Sequence, residues 1–130
     1  MASWDDVRRI ALALPEAAER DGREHLQWVV REKLFAWERP LRKGDLAELG
    51  DDAPEGPILA TRVADEGAKE ALIADEPERY FTTGHFDGYP IILARLDRLT
   101  DDDLDELLTE SWLSRAPKRL AAAYLAARES

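Results

Sequence analysis

The chain has no cysteine and only one methionine among its 130 residues. Without a thiol there is no disulfide framework, no thiolate metal site and no cysteine nucleophile, which fits a reducing compartment. Histidine is nearly as scarce. His25 and His85 are the only two, too few and too isolated along the chain for a histidine-rich metal centre. No apolar run approaches the roughly 18 residues of a membrane-spanning helix. The opening Met1–Asp6 is acidic and lacks the basic and apolar regions of a secretory signal, so the expected location is cytoplasmic, away from membranes. There is no GxGxxG, no P-loop, no HExxH and no serine in a GxSxG setting. Carboxylates abound, yet no pair stands out as acid and base. The expectation is a non-enzymatic domain with no metal and no cofactor.

What the chain has in excess is negative charge: 28 acidic against 18 basic residues, a formal net charge of −10. Such a surface repels nucleic acid and anionic lipid at long range, so a DNA binder of this composition needs a local basic patch. Hydrophobic residues at 45% and charged residues at 35% describe a globular chain. The length suits one domain over residues 1–130, with a core that needs no staples.

Ser3 is placed to cap a first helix, and Asp6 three positions on makes a variant capping box. Trp4, Val7, Ile10, Ala11 and Leu14 share a helical face, and Pro15 ends it. Glu16–Gly22 reads as a polar connection. Leu26, Trp28 and Val30 then alternate with Gln27, Val29 and Arg31. After a turn at Glu32-Lys33, Leu34–Glu38 follows, so residues 25–38 form an antiparallel hairpin with Trp28 and Trp37 near each other across it. Residues 40–57 read as a long loop with one helical turn at Asp45–Leu49. Ile58–Val63 is a third strand. Asp65 caps a helix carrying Ala68, Ala71, Leu72 and Ile73, ended by Asp75-Glu76-Pro77.

The most distinctive stretch is Tyr80–Leu93. Gly84 and Gly88 bracket His85-Phe86-Asp87 as a tight turn, and Pro90 opens the most apolar strand of the chain, which Leu96–Leu99 closes. Thr100 caps the next helix, with Asp101, Asp102 and Asp103 in its first turn, where the dipole favours negative charge. That explains the acidic run without a metal. Leu104, Leu107, Leu108 and Trp112 form its buried stripe. Pro117 opens a final helix with Leu120, Tyr124 and Ala127 inward. At its start Arg115, Lys118 and Arg119 stand where the dipole disfavours cations. Arg42 and Lys43 are the other basic candidates, in the long loop.

Ala74-Asp75-Glu76-Pro77 with Tyr80-Phe81, His85 with Tyr89-Pro90, Leu93-Ala94-Arg95-Leu96, Leu104-Leu107-Leu108 with Trp112, and Ala116-Pro117-Lys118-Arg119-Leu120 occur in the order and spacing of a known family. With the leading Leu-Ala-Leu-Pro-Glu-Ala and the strand pair at residues 25–37, they make the chain resemble the MmcQ/YjbR family over nearly its whole length. The resemblance implies a small α+β domain, one antiparallel sheet packed against helices in the order α-β-β-β-α-β(β)-α-α, similar to the CyaY-like and secretion-chaperone-like folds. It also implies DNA binding through a double-wing arrangement of hairpins. On that reading Arg42, Lys43, Arg115, Lys118 and Arg119 would hold phosphates of double-stranded DNA, with His85 near the groove. The alternative is a module for a protein or small ligand, with a cleft between the sheet and the Tyr80–Tyr89 segment bordered by Trp28, Trp37, Phe81 and Tyr89.

Overall fold

The computed structural model describes residues 2–22 and 25–129. In chain order its elements are α1 (Trp4–Ala13), β1 (Ala17–Gly22), β2 (His25–Val30), β3 (Lys33–Glu38), α2 (Lys43–Leu49), β4 (Ile58–Arg62), α3 (Glu66–Asp75), β5 (Tyr80–Phe81), β6 (Ile91–Arg95), α4 (Asp101–Arg115) and α5 (Lys118–Glu129). Short 3₁₀ turns occupy Gly50–Asp52, Gly84–Phe86 and Leu96–Arg98. The strands form one antiparallel sheet in the order β1-β2-β3-β4-β6-β5. The fold is α+β. No helix among the described residues is long and apolar enough to cross a membrane.

Both faces of the central strands are buried, which is why Ile58–Ala60 and Ile91–Ala94 read as continuous apolar runs. On one face Leu59, Ile92 and Ala94 join Trp28, Phe35, Val7, Leu104, Leu108 and Trp112 in the main core under α1 and α4. On the other, Ile58, Ala60, Ile91 and Leu93 pack with Phe81, Phe86, Trp37, Leu41 and Leu49. The helix starts follow the caps legible in the sequence. The Ser3 backbone N–H donates to Asp6 at 2.9 Å, Thr100 Oγ1 accepts the Asp103 N–H at 3.1 Å, and Asp65 accepts the Ala68 N–H at 2.8 Å.

Several expectations need correction. Residues 17–22 form an edge strand, not a connection, and pair with β2 from Ala17↔Val30 to Gly22↔His25. Local propensity gives no hint of it. Its order comes from pairing and from Glu19, which accepts both Arg8 Nε at 2.8 Å and Trp28 Nε1 at 3.1 Å. The helical turn expected at residues 45–49 is longer, because Asp45 reaches back to the Arg42 N–H at 2.9 Å and starts α2 there. The β2–β3 turn sits one residue earlier, on Arg31 and Glu32, both at positive φ as a two-residue hairpin of this twist requires. The apolar strand ends at Arg95. Trp28 and Trp37 do not meet. Trp28 pairs with Ala36 and Trp37 with Gln27, and their side chains enter opposite cores. Trp28 stacks instead on Trp4, with centroids 6.2 Å apart. In α5, Leu120 and Tyr124 pack on the core, but Ala127 is exposed.

Candidate functional site

On the face of the sheet away from α1 and α4, a cleft of about 460 Å³ opens between the β2–β3 hairpin, the Arg39–Arg42 crossing and the Gly84–Phe86 turn. Its walls carry His25 and Gln27 from β2, Leu34, Trp37 and Glu38 from β3, Arg39 to Arg42, then His85 and Phe86. Strand alternation builds it. His25 and Gln27 point away from Leu26 and Trp28, and Gln27 lies across from Trp37.

The cleft is held rigid from below. Arg39 is only 5% exposed and pairs with the equally buried Asp45 at 3.0 Å. Its guanidinium also lies 5.3 Å from the Phe86 ring centroid and donates to the Pro40 carbonyl. Burial pushes the Asp45 carboxyl pKa up. The Arg42 backbone N–H and the Arg39 charge outweigh that and hold it below its ordinary value. Phe86 in turn meets Trp37, with ring centroids 6.5 Å apart. The turn that carries His85 is pinned twice. Both Glu48 carboxylate oxygens accept the Gly84 N–H, at 2.9 and 3.0 Å. The buried Lys69 donates to the Phe86 and Tyr89 carbonyls, at 2.9 and 3.0 Å. A side chain at position 84 would come within 3.1 Å of Glu48, so glycine suits this close approach.

At the cleft, His85 is exposed and its ring meets Phe86 edge-on at 4.8 Å. His25 stands 3.9 Å from Glu38, whose carboxylate accepts the Leu26 N–H at 3.2 Å. The chain's two histidines therefore line one cleft, although they are far apart in sequence. Arg42 is exposed, with no carboxylate in ion-pair reach among the described residues. The arrangement can take a flat ring against Trp37 and an acidic group against Arg42, with imidazole and amide hydrogen bonds around them.

The residues expected to act together divide between two sides. Arg42 and His85 share the cleft, with exposed Lys43 next to Arg42. Arg115, Lys118 and Arg119 lie at the α4–α5 joint, on the side of the sheet that α4 covers. Of the four aromatics expected to border a cleft, only Trp37 lines this one. Trp28 is sealed in the main core. Phe81 is buried under the Arg95 guanidinium at 4.7 Å, and Tyr89 is 57% exposed beyond the pinned turn. A second groove, about 360 Å³, runs between α3 and α4. It has an apolar floor of Ala68, Leu72 and Leu107 and a rim of Asp75, Glu76, Asp103, Glu106 and Glu110, a setting that repels polyanions.

The YjbR family model matches residues 12–114. This chain belongs to the YjbR family. Among curated relatives, the uncharacterized protein Rv2570 of Mycobacterium tuberculosis is 55% identical over 129 residues, covering 97% of this chain and 98% of that protein. The uncharacterized protein Mb2600 of Mycobacterium bovis matches to the same extent. Among solved structures, the Deinococcus radiodurans protein DR2400, a DUF419 domain, superposes with a TM-score of 0.65 at 22% identity. That match covers 87% of this chain and 78% of the other. At that identity the likeness speaks for the fold alone. The cleft residues of this YjbR domain lie within the family match, whereas Arg115, Lys118 and Arg119 lie just beyond it.

Proposed function

We propose that this YjbR domain is a non-catalytic binding module whose cleft takes a small ligand with a flat ring and an acidic group. The observation that carries this reading is the convergence of Trp37, Arg42, His25 and His85 on one cleft whose floor is fixed by the Arg39–Asp45 pair. A ring face, an uncompensated cation and several hydrogen-bonding tips on a rigid support are what such a ligand needs. The test is an indole ¹H–¹⁵N spectrum recorded against a panel of aromatic carboxylates and nucleotides, with thermal shift in parallel. Trp28 and Trp112 donate their indole N–H to Glu19 and to the Pro15 carbonyl, so a cleft ligand moves the Trp37 signal and leaves theirs in place. Trp37→Leu and Arg42→Gln abolish both responses. Hits that stabilise Trp37→Leu as well as the parent protein refute the assignment.

Binding of double-stranded DNA is the second reading, favoured by Arg42 and Lys43 beside His85. Anisotropy of a labelled duplex at about 50 and 200 mM salt tests it. Steep weakening with salt reports phosphate contacts, and flat curves with protein in the tens of micromolar range retire it.

A further inference from the structure

Ser111, near the end of α4, accepts the Arg62 backbone N–H at 3.1 Å and donates its own hydroxyl proton to the Phe35 carbonyl. Arg115 stands four residues further on, so it lies on the same face of α4 as Ser111. The last turn of the helix thereby brings Arg115 to the end of β4, beside Arg62. Both side chains are half-buried, and the Nε of each is shielded from solvent without a hydrogen-bond partner. Among the described residues, neither guanidinium has a carboxylate in ion-pair reach. Arg8, Arg9, Arg31, Arg39 and Arg79 each have at least one. In a chain with 28 acidic residues, these two neighbouring cations have no ion-pair partner among the described residues. Burial and then the charge of Arg115 lower the Arg62 pKa, the mark of positive charge held without an anion. Lys118 and Arg119, both exposed, follow at the start of α5.

Two like charges withdrawn from water oppose each other until an anion joins them. Guanidinium forks match oxyanions in pairs of parallel hydrogen bonds. A phosphate monoester, at close to two negative charges, balances two arginines; a carboxylate balances one. We propose that Arg62 and Arg115 form a binding site for a phosphoryl group at the α4–β4 joint, built without any residue that lines the Trp37 cleft. Inorganic phosphate or a small phosphomonoester supplies that chemistry; a phosphodiester, like a carboxylate, balances only one of the two arginines.

The experiment uses the full chain in chloride buffer. Arginine Nε–H spectra and thermal unfolding are followed while inorganic phosphate is added, against sodium chloride at matched ionic strength. In a second arm a short DNA duplex replaces phosphate. The Arg62 and Arg115 signals are expected to shift together and saturate, with a rise in Tm that chloride does not reproduce. Arg62→Gln and Arg115→Gln each weaken binding about tenfold or more, and Arg62→Lys, which keeps the charge but not the fork, falls between. Saturation by phosphate alone assigns a small ligand. Tighter saturation by duplex, lost in the same variants, overturns the assignment to a small phosphate or phosphomonoester. Signals that do not move, or move equally in chloride, overturn the proposal. So does an Arg62→Gln protein that is less stable in chloride yet binds phosphate like the parent, since that pattern marks a structural arginine.

Discussion

Replacing Ser111 with alanine tests the joint between the helix layer and the sheet. The hydroxyl is fully buried and serves two strands at once, donating to the Phe35 carbonyl of β3 and accepting the Arg62 N–H of β4. The β3–β4 ladder pairs Ala36 with Thr61, Trp37 with Ala60 and Glu38 with Leu59. Phe35 and Arg62 lie just beyond its last pair, so the serine takes over where the ladder stops. Alanine removes one oxygen and leaves almost no cavity. It does strand one buried carbonyl and one buried N–H, at about 1–3 kcal/mol each. Alanine's better helix propensity returns up to about 0.5 kcal/mol. The net expectation is a loss of about 1.5–6 kcal/mol. That is a large share of the stability of a domain this size, typically about 5–15 kcal/mol. Urea unfolding followed by circular dichroism measures it, as a lower midpoint at constant m. Ser114→Ala is the control. Ser114 is exposed and bonds only the Ser111 carbonyl within its own helix, so its loss stays within about 0.5 kcal/mol. A Ser111→Ala loss no larger than the Ser114 control would mean that water replaces the hydroxyl and that the joint is not closed as described.

Two further outcomes follow from buried charge. Arg39→Leu strands Asp45 and is expected to cost about 3–5 kcal/mol in urea unfolding, with much of that recovered in the Arg39→Leu/Asp45→Leu pair; a single variant as stable as the parent would contradict the buried pair. The Tyr80 hydroxyl pKa is pushed from 10.0 up to about 12, by burial first and then by the negative charges of Glu76 and Asp103. The folded state thus holds this proton more tightly than the unfolded chain. The contribution is intact below pH 10 and lost as pH rises toward about 12. Alkaline titration at the tyrosinate band is expected to show an absorbance step coincident with unfolding that Tyr80→Phe lacks.

The fold was legible where local chemistry and tertiary structure agree. Ser3, Asp65 and Thr100 announce their helices because an N-cap acts within three residues. The apolar stripe of α4 and the strand Ile91–Ala94 are visible because burial writes its own period. β1 was hidden because Ala17–Gly22 has no strand propensity and is ordered by Val30, Trp28 and Leu26 across the ladder. The start of α2 was blurred because its cap is formed in reverse, by the Asp45 carboxylate on the Arg42 N–H. At the site, Arg42, His85 and Trp37 could be picked out by residue type alone. His25 and Gln27 required register, and the signal was present in the alternation that set Gln27 against Trp28. The unopposed state of Arg62 was invisible for a different reason. A half-buried arginine at a strand end looks ordinary until every carboxylate in reach has been accounted for.

The division of cations by the sheet constrains any affinity for polyanions. Arg42, Lys43 and His85 sit beside the cleft, whereas Arg115, Lys118 and Arg119 lie at the α4–α5 joint and Arg62 at the end of β4. A rigid duplex laid against one set does not reach the other, so the contacts of the two sets do not add on one segment. Either set alone neutralises about two to four phosphates, for a log–log salt slope of about −2 to −4. The net charge of −10 opposes even that at a distance. A slope much steeper than this in the duplex titration would require a basic surface continuous between the two sets and would refute their separation.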